Sequence, residues 1–146
     1  MANRVDPYGG YNFAVELDGI TRAGFTQCSG LENSQNAGSY REGTDKNLSP
    51  RKIPGLVTHS DVTLSRGITS DRKLWDWREK VMKGSLERHD ISITLLDDTG
   101  APKIRWNLFD CWPRQWTGPS FNSTSDEVSI EQLIIAYERI EVDQWT

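Results

Sequence analysis

The sequence contains two histidines, His59 and His89, and two cysteines, Cys28 and Cys111, which are the side chains that a structural zinc site most often uses. A zinc site draws its ligands from closely spaced pairs, and no two of these four residues have such spacing. Two cysteines are also too few for a disulfide framework, and in a reducing cytosol we expect them to be small buried hydrophobic residues. The sequence therefore predicts no metal site and no cofactor.

Catalytic motifs are equally sparse. The run His59–Asp61 contains triad residue types, but neighbours on a strand face opposite sides, so their adjacency works against a triad. The run Gly9–Asn12 is a weak glycine signal, better interpreted as a flexible start to the first strand, and no nucleophile elbow, Walker loop or dinucleotide fingerprint is present. The adjacent carboxylates fall in turns, where acidic residues are commonly solvated: Asp97, Asp98, Asp126 and Glu127. We predict a protein that is not an enzyme.

The six tryptophans allow a different kind of site. Trp106, Trp112 and Trp116 could stack on sugars, which would suggest a monomeric carbohydrate-binding module. The alternative is that they are core or interface residues, because Trp106 shares its strand face with Ile104 and Leu108.

Composition narrows the class of protein. A chain of 146 residues is most simply one domain, residues 1–146, and 36% hydrophobic with 26% charged residues is ordinary for a globular protein. A net charge of -4 argues against specific nucleic-acid binding, which needs a basic surface. No apolar run is long enough for a transmembrane segment, and the first ten residues lack the apolar core of a signal peptide. We expect synthesis in the cytoplasm without a signal peptide.

Hydrophobic periodicity predicts a mainly β fold. Phe13, Val15 and Leu17 alternate before a predicted two-residue turn at Asp18-Gly19, and a second strand at 23–28 is expected to return beside the first. Alternation recurs in 91–95 and in 104–108, and Pro113 requires its strand to bulge, bend or lie at an edge. The sum is a mainly antiparallel β domain, most simply a small barrel or sandwich.

One flanking helix is predicted at about 70–83. Leu74, Trp77 and Val81 form an apolar stripe at helical spacing, and Gly84 is a C-terminal stop. Trp75 and Met82 lie on the flank of that stripe, where a neighbouring subunit could cover Trp75.

The final segment, 127–142, is predicted to be one long strand that is apolar on both faces. A strand with one face in water should alternate, so both faces must be covered. Cover by other elements of the same chain and cover by a second subunit are both open. The subunit-interface hypothesis involves the odd-numbered residues Leu133, Ile135 and Tyr137, together with Trp75.

The most informative exposed feature is a long loop at about 43–55. Lys46, Arg51 and Lys52 cluster there in an otherwise acidic chain, so the loop could engage an acidic surface on another copy. The alternative is a solvated mobile loop.

Several segments together resemble a known family. They occur in family order and span Gly10 to Val142: GYNFAVELDG, AGFTQCSGLE, YREGTDKNLSPRKIPG, VTLSRGITSDRKLWDW, ISITLLDD and GPSFNSTSDEVSIEQLIIAYERI. The chain resembles the tail-tube subunits of contractile phage tails and of bacterial contractile injection systems, and more distantly the haemolysin-coregulated protein of type VI secretion.

The resemblance implies a structural subunit in which two packed antiparallel sheets form a small β-barrel or sandwich with one flanking helix. Six copies would close into a ring, and rings would stack into a hollow tube that a contracting sheath drives through a target envelope. Other implied partners are baseplate, spike and tail-terminator proteins, with possible cargo in the lumen, in a particle that could be released from the cell. The long loop would reach an adjacent ring through residues around Tyr40 to Pro54: Tyr40, Arg41, Glu42, Lys46, Arg51, Lys52, Ile53 and Pro54. A tube initiator or baseplate adaptor of the same fold is the alternative within the family.

Overall fold

The computed structural model describes residue 4 and residues 6–17, 24–124 and 126–146. Over these ranges the chain forms nine strands and one helix. In chain order they are β1 (Phe13–Leu17), β2 (Gln27–Ser29), β3 (Asn33–Tyr40), β4 (Arg51–His59), β5 (Val62–Gly67), α1 (Lys73–Met82), β6 (His89–Leu96), β7 (Pro102–Thr117), β8 (Ile130–Ala136) and β9 (Arg139–Trp145). The predicted turn at Asp18-Gly19 lies outside the described residues.

The first sheet has the antiparallel order β1, β6, β7 and β9. Its alternating apolar residues point inward, as the sequence predicts: Val15, Leu17, Ile91, Ile93, Ile104 and Leu108 are all buried. Burial of one face is what fixes the register of such strands, because a slip of one residue would expose the whole set.

The second sheet has the order β2, β5, β8 and the second half of β7. The prediction that the second strand returns beside the first was wrong, since β2 pairs with β5 and β1 pairs with β6. Val62, Leu64, Leu133 and Ile135 supply the buried face of this sheet and pack against the first.

Strand β7 belongs to both sheets. Its first half pairs with β6 and β9, and its second half pairs with β8. The change of sheet falls at Asp110, which has a positive φ of 57°, and at an irregular register between Pro113 and Gln115. Of the three outcomes predicted for the strand at Pro113, the structure shows the irregular, bulge-like register. The result is an open two-sheet sandwich rather than a closed barrel.

The predicted long last strand is two strands. The chain turns at Tyr137 and Glu138, so that β8 pairs in the second sheet and β9 in the first. In β8 the odd-numbered residues face the core, whereas in β9 Ile140 packs against it. The apolar pattern changes phase at the corner, which is why the segment reads as apolar on both faces.

The helix begins at Lys73 rather than at 70. The Asp71 carboxylate accepts a hydrogen bond from the Lys73 amide at 3.0 Å, and this bond holds the pKa of Asp71 below its ordinary value. Leu74 and Trp77 are buried, and Gly84, with φ at 89°, follows the helix end, as predicted.

The predicted loop at 43–55 is largely a β-hairpin. Residues 51–55 belong to β4, and β4 pairs with β3 along its length, so only 41–50 connect the two strands. This two-stranded ribbon forms a sheet separate from the sandwich.

Candidate assembly surface

The β3–β4 ribbon, which we call the hairpin, stands apart from the sandwich. Every residue of β3 is exposed, and in β4 only the last residue, His59, is half-buried. The main contacts of the two strands are with each other. An isolated two-stranded hairpin in water is marginal in stability, and this ribbon is exposed along nearly its whole length.

The connecting loop at the tip of the hairpin is ordered around Asp45. The Asp45 carboxylate accepts hydrogen bonds from the Glu42 amide at 3.0 Å and from the Arg51 guanidinium at 2.7 Å. The Arg41 guanidinium donates to the Asp45 carbonyl at 3.1 Å and to the Asn47 carbonyl at 3.0 Å. These four bonds join residues of the hairpin to one another and order the loop.

The predicted stacking residues therefore lie together at the distal half of the hairpin, but their charges are not equally available. Arg41 and Arg51 are held within the loop by the bonds to Asp45. The Lys52 ammonium has only a 3.4 Å contact to the Ser39 hydroxyl. Lys46 has no hydrogen bond or ion pair to the part of the chain that the structure describes. Lys46 and Lys52 are the charges that the hairpin presents outward.

Apolar side chains on the hairpin are exposed as well. Tyr40 and Ile53 are about half exposed, and Leu56 and Val57 are 77% and 55% exposed. The sequence analysis missed Leu56 and Val57, because apolar residues in a strand are normally interpreted as core. The signal that could have found them is the polar partner strand, since β3 carries no apolar residue larger than alanine before Tyr40.

The base of the hairpin is tightly fixed. The His59 ring stacks on Tyr137 with centroids 5.2 Å apart, and Asp61 forms an ion pair with Arg114 at 2.6 Å. Gly30 has a positive φ of 96°, and a side chain there would collide with the Asp61 carbonyl. The sandwich thus holds the ribbon at one defined place, next to the start of β5.

Comparison of the sequence with protein-family models identifies the kind of protein that has this surface. Residues 9–141 match the T4-like virus tail tube protein gp19 model. This chain belongs to the tail tube family. No curated protein sequence matches it significantly.

Solved structures agree with this assignment of the tail tube chain. A chain in the cryo-EM structure of the anti-feeding prophage cap, a tube terminating cap, is 28% identical with a TM-score of 0.88, over 99% of this chain and 95% of that one. A chain in the PVC sheath-tube complex, from an extracellular contractile injection system in its extended state, is 28% identical with a TM-score of 0.84, over 94% and 92%. Hcp1 from Flavobacterium johnsoniae, 14% identical with a TM-score of 0.58 over 91% and 95%, shares the fold alone.

The tail tube chain does not offer the predicted odd-numbered residues of β8 to a neighbour. Leu133 and Ile135 are fully buried within one chain, and Tyr137 is 8% exposed. That part of the interface hypothesis is corrected, since the change of phase between β8 and β9 explains the pattern. Trp75 is half-buried and packs edge-on against Trp116 at 4.9 Å, so it keeps some surface for an interface.

The tryptophans of this tail tube chain do not form a common platform. Trp112 pairs with Ala136 and Trp116 with the buried Leu133, so the two rings lie on opposite faces of β7. Trp106 faces Trp145 at 6.1 Å and lines a cavity of about 200 Å³ between the sheets. The arrangement supports packing roles rather than a sugar-binding surface.

The residues with metal-binding or nucleophilic chemistry are also dispersed. In the described ranges no three histidine, cysteine or carboxylate groups cluster as metal ligands. Burial raises the pKa of Cys28 to about 11 and that of Cys111 to about 12, which disfavours reactive thiolates. Among the same residues, no helix has the length and apolar character to cross a membrane.

Order in the hairpin tip gives a first testable prediction. Asp45→Ala removes both carboxylate bonds, and since an exposed ion pair contributes up to about 1 kcal/mol, protease cleavage within 41–50 should increase by about fivefold. The melting temperature should not change, because the tip has no part in the core. Asn47→Ala is the matched control, since Arg41 binds the Asn47 carbonyl and not its side chain. Equal cleavage of both variants would contradict the role of Asp45.

Proposed function

We propose that this tail tube chain is a structural subunit of the inner tube of a contractile injection system or contractile phage tail. Rings of six copies stack into a hollow tube, and a surrounding sheath propels the tube into its target. The observation that carries the proposal is that the hairpin is exposed and is attached at a defined place on a sandwich with the tail tube fold. A projecting ribbon of this kind is suited to contacts between copies and contributes nothing to catalysis.

Stacking between rings is assigned to the hairpin. Its distal half presents Tyr40, Ile53 and Pro54 as apolar contacts and Lys46 and Lys52 as charges. Arg41, Glu42 and Arg51 shape the tip because each donates a hydrogen bond to Asp45. Each contact is small, but a ring repeats it in every subunit, so the stack gains stability through multivalency.

Ring closure is assigned to the edges of the first sheet. β1 and β9 are its two outer strands, and each has one edge without a strand partner among the described residues. An open edge is prone to uncontrolled pairing unless another strand covers it. Pairing of β9 in one copy with β1 in the next is a head-to-tail contact, which closes into a ring when the rotation is right. The number six comes from the family resemblance.

Partners follow from the relatives. One relative lies in a sheath-tube complex and another in a tube-terminating cap, which supports a sheath protein and a tail terminator as partners of this chain. Baseplate and spike proteins would begin the tube, and cargo would occupy its lumen. The PVC relative belongs to an extracellular particle, which supports assembly of this chain into a particle that leaves the cell.

The experiment is to follow the purified chain by sedimentation velocity and negative-stain electron microscopy over a range of concentrations. We expect ring-sized particles of six 16.6 kDa chains, about 100 kDa, and stacks of them at high concentration. A chain that stays monomeric at every concentration, and also when a sheath-tube particle is offered as a seed, would contradict the proposal.

A further inference from the structure

A tube that grows by stacking needs two different surfaces on each subunit. In a heterologous contact, one end of a copy binds the opposite end of the next copy. The hairpin is one such surface, and it leaves the sandwich beside Val62, the first residue of β5. The complementary surface is then expected near the other end of β5, which finishes at Gly67.

That other end carries exposed apolar side chains. Ile68 is 42% exposed, Val128 77% and Ile130 40%. They are held together by the pairing of Gly67 with Ile130 and by a hydrogen bond from the Ile68 amide to the Ser129 carbonyl at 3.0 Å. Clustered exposed apolar residues commonly mark an interaction surface. We call Ile68, Asp126, Glu127, Val128 and Ile130 the end patch.

The end patch and the hairpin are complementary in charge. Asp126 and Glu127 are exposed and adjoin Val128, so this apolar surface has an acidic margin. On the hairpin, Lys52 shares a face of the ribbon with Pro54 and the exposed Val57. Lys46 lies in the connecting loop. Apolar contact with a margin of opposite charges gives both affinity and register.

The two surfaces are also placed for contact between copies rather than within one. β5 has six residues, so about 20 Å separates the base of the hairpin from the end patch. The hairpin strands pack mainly on each other and not on the sandwich. A second copy, stacked in the same direction, brings its own end patch toward this hairpin.

We propose that the end patch is the docking site for the hairpin of a second copy of this chain in the neighbouring ring. The inference rests on the proposed tube function and names the surface that the hairpin contacts. It assigns a role to the 126–130 segment and commits to this chain itself as the partner.

The test reverses the charge of the end patch in the full-length chain. In Asp126→Lys/Val128→Lys, the patch repels the lysines of the hairpin, and we expect the fraction of protein in sedimentable stacks to fall by about tenfold or more while single rings persist. The control is Leu86→Lys, which replaces an exposed apolar residue by lysine, as Val128→Lys does, at a site that is 51% exposed and outside the patch. The control should stack like the wild type.

Rescue makes the result specific. Adding Lys46→Glu/Lys52→Glu to the patch variant gives an acidic hairpin and a basic patch, and stacking should return in the fourfold variant. Three results would overturn the docking assignment even if wild-type tubes form. They are normal stacking by the patch variant, loss of stacking that the fourfold variant does not restore, and a patch that binds only sheath protein. Absence of rings and stacks in the wild type would instead overturn the proposed function.

Discussion

Replacing Ile53 and Leu56 by aspartate is expected to abolish stacking of rings and to leave the stability of the subunit unchanged. Both side chains are largely exposed in the single chain, at 49% and 77%. Burial of a large apolar side chain contributes about 1.5–3 kcal/mol, and a buried carboxylate without a partner would add a further cost. Since every subunit in a ring makes the contact, the loss is repeated around the ring.

The measurement has two parts. Stacks are quantified by sedimentation and negative-stain microscopy, and subunit stability by thermal unfolding at a concentration where the chain is not assembled. The matched control is Met82→Asp/Leu86→Asp, because these residues are 52% and 51% exposed and lie away from the hairpin. We expect the control to stack normally. If the hairpin variant instead unfolds at a lower temperature in proportion to its loss of stacks, the hairpin is part of the folded core and the assignment is wrong.

The sequence predicts the parts of the fold that are determined locally. The strands around Val15, Ile93 and Leu108 each bury one face, so their alternation is visible in the residues themselves. The helix carries its own stripe in Leu74 and Trp77, and Pro113 marks the irregular register of its own strand. In each case the burial that stabilises the element leaves a pattern in adjacent residues.

Pairing partners are not determined locally. β2 is three residues long, so its residues are too few to indicate whether it pairs with β1 or with β5. The corner at Tyr137 also follows from the pairing with β7. β8 pairs with the second half of β7 and β9 with the first half, and these halves belong to different sheets. No pattern within β8 or β9 alone reports that arrangement.

Part of the candidate site could likewise be predicted from the sequence, and part could not. Its position and its basic residues follow from the sequence, together with the family resemblance that gave the distal residues from Tyr40 to Pro54 a stacking role. The β-hairpin form of the site does not follow from the sequence. Asn33–Tyr40 is polar and lacks alternation, and it is a strand because it pairs with β4. Exposure of Leu56 and Val57 needs the structure as well, since it depends on the separation of the ribbon from the sandwich.

The buried ion pair between Arg66 and Glu131 gives the second large prediction. The Arg66 Nε and a Glu131 carboxylate oxygen lie 2.6 Å apart, with only 6% and 8% of the two side chains exposed. The other carboxylate oxygen accepts a hydrogen bond from the Trp116 indole at 3.1 Å. Arg66 also donates to Asp71 just before α1, so the pair connects β5, β8, β7 and the start of the helix.

Glu131→Ala leaves the guanidinium of Arg66 buried, and among the described residues the partly exposed Asp71 is then its one ionic partner. Breaking a buried pair in this way costs about 3–5 kcal/mol, a large part of the stability of a domain of this size. We expect the midpoint of urea unfolding to fall accordingly, with no change in slope. Unlike the hairpin variants, this variant should lose rings and stacks together with the fold.

The double variant Arg66→Met/Glu131→Leu is the control that separates an ion pair from simple packing. Apolar side chains of similar size leave no buried charge, so we expect the double variant to be far more stable than the sum of the two single losses, because a pair interaction is non-additive. Strictly additive losses would show that the two side chains act independently. A loss below about 1 kcal/mol for Glu131→Ala would place the pair among surface ion pairs and contradict its role in fixing the helix on the sandwich.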